Sequence, residues 1–196
     1  MEPWLVVGLG NPGPTYAQNR HNIGAMVVDQ LAKDTATKLT THKTRALVAQ
    51  LRLGTLPGGL PGPPVVVAQP QTFMNLSGGP VSGLAKFFSI PTERIIVVHD
   101  ELDIDFGSVR LKRGGGEGGH NGLRSISAAL GSKDYVRVRL GIGRPPGRQD
   151  PADYVLANFP SRDREERDLL IGDGCDAVTD VVHGGLEATQ QRFHSR

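Results

Sequence analysis

The chain is poor in cysteine: Cys175 stands alone among 196 residues. A single thiol closes no intramolecular disulfide, so a disulfide scaffold is excluded and the composition fits a reducing cytosol. Long apolar runs are missing as well. No stretch approaches the roughly eighteen residues that a membrane helix needs. The opening Met-Glu-Pro-Trp-Leu-Val-Val-Gly has no basic segment and too short an apolar run for a secretory signal, so a cytoplasmic protein is expected. Charge of one sign is scarce in net terms, at only +2, which argues against a protein that coats nucleic acid with its whole surface. Apolar residues nevertheless make up 38% of the chain, including valine and isoleucine runs that argue against disorder. A chain of this length suits one domain and buries roughly 70% of its unfolded surface, so it needs no metal or disulfide as a staple.

The distribution of charge says more than its sum. Residues 106–149 carry nine cations (Arg110, Lys112, Arg113, Arg124, Lys133, Arg137, Arg139, Arg144, Arg148) against Glu117 and Asp134. Residues 150–180 reverse the sign, with nine acidic residues against three arginines. A basic segment beside an acidic one suggests a local footprint for a polyanion, although charge alone fits an ordinary solvated surface equally well.

Apolar runs and periodicity divide the chain into alternating elements. Trp4–Leu9 reads as a buried first strand, and residues 11–20, with two prolines and a glycine, as a turn. Ile23, Met26, Val27 and Leu31 recur at helical spacing. A second strand falls within Arg45–Leu53, followed by a Gly/Pro-rich surface loop, 54–64. Val65–Ala68 is a third strand. Ser77 stands where an N-cap would start a helix carrying Val81, Leu84, Ala85 and Phe88. Ile95–Val98 is a fourth strand and runs into His-Asp-Glu-Leu-Asp. Val109–Arg113 reads as a short strand, 114–119 as a glycine loop, and Leu123–Leu130 as a helix closed by Gly131. Val136, Val138, Leu140 and Ile142 alternate with Arg137 and Arg139, the mark of a strand with one charged face. Residues 143–151 read as a mobile loop, and 161–192 as a C-terminal helical segment interrupted at Gly172 and Gly174. This alternation predicts a single-domain α/β sandwich spanning residues 1–196, with a twisted, mostly parallel, mixed sheet flanked by helices.

In such sheets the ligand crevice opens beyond the carboxyl ends of the strands. Four polar segments fall at those places: 11–21, 73–75, 99–103 and His120-Asn121. A lone loop histidine or asparagine is usually a turn or capping residue, but four clusters on one sheet edge are harder to dismiss. A neutral His21 can take a proton from water, and Asp100 can fix its tautomer and stabilise the imidazolium. Asn11, Asn75 and Asn121 offer uncharged donors and acceptors for an amide or an oxyanion.

Other chemistries fit less well. Gly8-Leu9-Gly10-Asn11-Pro12-Gly13 has the letters of a dinucleotide fingerprint, but Pro12 has no N–H to offer a pyrophosphate, and no acidic residue ends the next strand. The glycine run lacks the Lys-Ser/Thr of a Walker loop, and no serine lies in G-x-S-x-G. Cys175 sits in an acidic helical region, a poor place for a nucleophile. A metal held by His99, Asp100, Glu101 and Asp103 is the strongest rival, weakened because successive strand residues point to opposite faces.

From end to end these segments resemble the bacterial-type peptidyl-tRNA hydrolases. The resemblance is carried by Val7–Gly13, Tyr16, Arg20–Gly24, Phe73–Gly78, His99–Asp103, Gly118–Leu123 and Arg137–Gly143. It implies a monomeric enzyme, without metal or cofactor, that cleaves peptidyl-tRNA so that the RNA returns to translation. On that likeness His21 is the base, Asp100 keeps it basic, and Asn11 helps separate blocked from free aminoacyl esters. Tyr16, Phe73, Asn75 and Asn121 would contact the peptidyl-adenosine end, with Met74 and His120 lining the same cleft. Arg110, Lys112, Arg139 and Arg148 would meet phosphates of the acceptor stem and T arm. The 54–64 loop is longer than the family pattern leads one to expect.

Overall fold

The computed structural model describes residues 1–195. Among them seven strands form one mixed sheet: β1 (Trp4–Gly8), β2 (Thr40–His42), β3 (Ala46–Arg52), β4 (Pro64–Pro70), β5 (Ile95–Glu101), β6 (Val109–Arg113) and β7 (Val136–Gly141), in the order β2-β3-β4-β1-β5-β7-β6. The four central strands are parallel, and each edge is extended by antiparallel partners. Parallel strands covered on both faces read as unbroken apolar runs, and Leu5-Val6-Val7 and Ile95-Ile96-Val97-Val98 are such runs, all fully buried.

The helices α1 (Ile23–Asp34), α5 (Arg164–Gly184) and α6 (Leu186–His194) cover one face, packing Val27, Val178, Val181 and Phe193 onto Val6, Val98 and Val138. The helices α2 (Gly78–Phe87) and α3 (Asn121–Leu130) cover the other, packing Val81, Leu84, Leu123 and Ile126 onto Leu5, Val7 and Val97. A short helix α4 (Pro151–Val155) lies beside the carboxyl ends of the strands, where it lines the cleft described below.

Several expectations need correction. Helix α5 runs unbroken through Gly172 and Gly174. A Cβ at Gly174 would lie 2.8 Å from Val27 and 3.3 Å from Leu140, so that glycine brings α5 close to the sheet rather than ending it. Ser77 does not cap α2. Its backbone is already helical and its hydroxyl donates to the Met74 carbonyl instead. Arg137 does not belong to an open charged face, because it is wholly buried and donates to the carbonyls of Gly115 and Gly116, bracing the glycine loop. Strand β5 continues through His99, Asp100 and Glu101, and the edge strand β2 went unforeseen because its residues Thr40 and Thr41 are exposed and carry no apolar pattern. The 54–64 segment is largely exposed, closed by a bridge between Thr55 and Pro61, and its last residue opens β4.

Candidate active site

The carboxyl ends of β1 and β5 meet the amino end of α1, and glycine makes that meeting close. A Cβ on Gly24 would fall 2.1 Å from the Val98 carbonyl oxygen, and one on Gly8 2.2 Å from that of Gly24. Only a helix start without side chains there can sit directly on the strand ends. His21, in the single 3-10 turn Arg20–Asn22 ahead of α1, is thereby brought to Asp100 of β5. Buried Asn22 holds the preceding loop with both ends of its amide, accepting from the Asn11 N–H at 2.9 Å and donating to the Asn11 carbonyl at 2.9 Å.

Asp100 is 3% exposed and binds two imidazoles. His21 Nδ1 lies 2.8 Å from Oδ2, and His120 Nε2 lies 2.9 Å from Oδ1. The backbone settles the His120 tautomer. His120 caps α3, its Nδ1 accepting from the N–H groups of Gly122 and Leu123, so the ring proton must sit on Nε2 and point at Asp100. Nδ1 of His21 likewise donates to the carboxylate, which leaves Nε2 as its basic nitrogen.

Burial opposes the charge on Asp100, but the two histidines outweigh it and hold the carboxyl well below the usual range. For His21, burial opposes the imidazolium while the charge and hydrogen bond of Asp100 favour it, and the balance raises its pKa above the ordinary value. His99 is the contrast. Fully buried and beside His120, it is pushed down to about 3 and is neutral. Its Nδ1 donates to the Asp100 carbonyl at 2.7 Å, and it packs edge-on against His120 at 5.0 Å.

A sign follows for pH dependence. If neutral His21 is the working form, kcat/KM rises with pH through a pKa above that of an ordinary histidine. Asp100→Asn removes the charge that raises it and leaves burial acting alone, so the acid limb should move to lower pH while the plateau falls. A pH profile whose limb stays in place in this variant would separate His21 from the titration.

His21 and Asp100 open into a cleft of about 440 Å³ lined also by Asn11, Phe73, Met74, Asn75, His120 and Asn121. Eight of the thirteen residues singled out from sequence therefore converge. Tyr16 does not line the cleft but meets the Phe73 ring edge-to-face, with centroids 6.3 Å apart. Arg110, Lys112 and Arg139 lie outside the cleft on β6 and β7, and Arg148 is exposed in the 143–151 segment. Asn11 Oδ1 accepts from the Met74 N–H at 2.7 Å, which fixes the amide orientation and leaves Nδ2 as its uncommitted end. The side chains of Asn75 and Asn121 make no hydrogen bond among the described residues and are free for a ligand.

Reading the sequence missed the wall formed by Pro151, Ala152, Val155 and Leu156. Asp150 followed by Pro151 carried the signal, since Asp accepts at N-cap positions and proline suits the first helical turn; the Asp150 carboxylate does accept from Ala152 N–H. Glu101, Leu102, Gly118 and Gly119 complete the lining.

Among the described residues one trio, His21, Asp100 and His120, brings potential metal ligands within 4.8 Å of one another. The residues 99–103 do not form such a group among them, as the alternation of strand side chains requires. The trio fits a cation poorly, because the nitrogens facing Asp100 carry the protons of its two hydrogen bonds.

The family model for peptidyl-tRNA hydrolase matches residues 5–196. The chain belongs to the peptidyl-tRNA hydrolase family. A protein named peptidyl-tRNA hydrolase from Kineococcus radiotolerans is 61% identical over 194 residues, covering 99% of this chain and 98% of the relative. Another of that name from Frankia alni is 60% identical over 193 residues, covering 98% and 94%. The crystal structure of peptidyl-tRNA hydrolase from Acinetobacter baumannii matches with a TM-score of 0.86 at 37% identity, covering 98% of this chain and 94% of that one. Among the described residues no helix is long and apolar enough to cross a membrane.

Proposed function

We propose that this peptidyl-tRNA hydrolase family member cleaves the ester joining a peptide to the terminal ribose of its transfer RNA, releasing both for reuse in cytoplasmic translation. The observation that carries the reading is His21, held through Nδ1 by a buried carboxylate, with Nε2 left as the base in a cleft rich in uncommitted amides. Nε2 takes a proton from water as its oxygen attacks the ester carbonyl. Asn11 Nδ2 is an N–H donor for the amide carbonyl beside the ester, and Asn75 and Asn121 hold the rest of that peptide amide. Collapse of the intermediate expels the ribose oxygen, which recovers the proton from the imidazolium. Phe73, more than half exposed beside Tyr16, is a face on which the terminal adenine can stack.

The β6–β7 ladder supports a polyanionic substrate. Arg110 stands opposite Arg139, and Lys112 lies two residues along β6 from Arg110. Like charges facing across strands are unfavourable until an anion joins them. The register also sets Arg139 beside His99, next to the ring of His120, so the basic strands adjoin the cleft. Such contacts hold phosphates and ignore base sequence.

Release of peptide from N-acetyl-aminoacyl-tRNA tests the reading. Turnover should persist with a chelator present, whereas tight binding without turnover would leave only an RNA-binding module. Activity lost to the chelator and restored by metal would turn the His21–Asp100–His120 trio into a metal site. For the basic strands, replacing Arg110, Lys112 or Arg139 by Gln should raise KM more than it lowers kcat. Each change should flatten the slope of log K against log salt by about 0.7–0.9, the share of one phosphate contact. Unchanged slopes in all three variants would remove β6 and β7 from the interface.

A further inference from the structure

Helix α4 supplies one wall of the cleft, yet it is five residues long and buries none of them fully. One helical turn does not hold its own place in water, so something outside it must fix the wall. The tether comes from the turn that carries the base. The Arg20 guanidinium lies 4.0 Å over the Tyr154 ring and 5.7 Å from that of Phe159, and its Nη1 donates to the Tyr154 carbonyl at 3.1 Å. The backbone N–H of Arg20 donates to the Ala157 carbonyl at 3.0 Å, and Asn19 joins Asn158 through their side-chain amides at 2.7 Å. On its other side the Tyr154 hydroxyl donates to the Ile142 carbonyl, one residue past the end of β7. The cleft residues Pro151, Ala152, Val155 and Leu156 are thus held at a set distance from His21 by the residue immediately before it.

We propose that Arg20 is a positioning residue, clamping the α4 wall to the His21 turn through Tyr154, and that substrate affinity depends on this clamp. The proposal rests on the esterase reading for its kinetic consequence, while the clamp itself is a statement about α4. His21 keeps its own partner, Asp100, whatever happens to Arg20, so loss of the clamp should act on binding far more than on the base.

The test compares Arg20→Met, Arg20→Lys, Tyr154→Leu and the double variant Arg20→Met/Tyr154→Leu with wild type on N-acetyl-aminoacyl-tRNA. The worth of a stacked cation plus one charged hydrogen bond predicts about a tenfold rise in KM for Arg20→Met. Tyr154→Leu keeps the backbone carbonyl that accepts from Arg20 but loses the stacking and the hydroxyl bond to Ile142, and should raise KM by a similar factor. kcat should change much less, and the acid limb of the pH profile should not move. The double variant should fall short of the product of the two single effects, since both changes remove the same stacking contact. Arg20→Lys should recover part of the affinity, keeping a cation over the ring without the planar fork. Hydrogen exchange should quicken at the amides of residues 152–157 and not in β5. Should Arg20→Met fail to fold, Tyr154→Leu carries the same readouts. Unchanged KM and exchange would overturn the clamp, as would a fall confined to kcat with a displaced acid limb. A wild-type protein that does not turn over the ester would instead remove the esterase reading, and the exchange measurement would still decide the clamp.

Discussion

Replacing His21 by alanine should lower kcat by about 10²–10⁴-fold, the usual worth of a positioned general base. Binding of transfer RNA should stay close to wild type, because the basic residues of β6 and β7 lie outside the cleft. The size of the loss follows from the geometry. Among the cleft imidazoles only His21 combines a carboxylate on Nδ1 with an uncommitted Nε2, since both nitrogens of His120 are engaged and His99 is sealed in the core. No neighbouring imidazole can take over. Alanine also deprives Asp100 of one donor, although His120 still supplies the other. His21→Asn therefore makes a useful companion, restoring an N–H toward the carboxylate without restoring a base. Both variants should be comparably inactive in single-turnover assays at saturating enzyme. Near-normal turnover in either one would remove His21 from the mechanism.

The sheet was readable because the central strands are buried on both faces and so leave uninterrupted valine and isoleucine in the sequence. The edge strand β2 packs little, leaves no such trace, and was missed. The same contrast runs through the site. Asp100 lies at the end of a strand, His21 and the three asparagines lie in turns and helix starts beyond strand ends, and their residue types suit an ester and an amide. What one sequence does not display is which polar groups are already spent. Arg137 reads like its neighbour Arg139, yet it is consumed by the carbonyls of the glycine loop. His120 reads as a cleft residue, and its cap on α3, which fixes its proton toward Asp100, depends on where the helix begins. Asn22 looks like a bystander to His21 but sets the Asn11 loop through two backbone bonds. Glycine misled in the other direction. Gly172 and Gly174 have the local character of a helix break, yet α5 runs through both, and at Gly174 the close approach to Val27 and Leu140 gives the glycine its place.

An N-acetylated aminoacyl-tRNA should be cleaved with a kcat/KM on the order of 10² or more above that of the same aminoacyl-tRNA with a free α-amino group. The orientation of Asn11 is the reason. Its oxygen is held by the Met74 N–H and its backbone is bracketed by Asn22, so the amide is oriented with Nδ2 as its uncommitted end. A blocked substrate offers an amide carbonyl beside the ester, which accepts from such a donor. A free substrate offers an ammonium, which accepts from nothing and sets donor against donor. Asn75 and Asn121, lacking partners of their own among the described residues, would likewise be left without the peptide amide. Each polar group left unpaired in a desolvated site costs about 1–3 kcal/mol, so two of them account for the ratio. Asn11→Ala removes the donor that meets the ammonium and should narrow the gap between the two esters. Asn75→Ala should mainly depress cleavage of the blocked one. Parallel kcat/KM measurements on the two esters decide it. Equal values for the wild-type chain would mean that the fixed donor of Asn11 does not face the substrate's α-nitrogen side, and that the asparagines serve the ester alone.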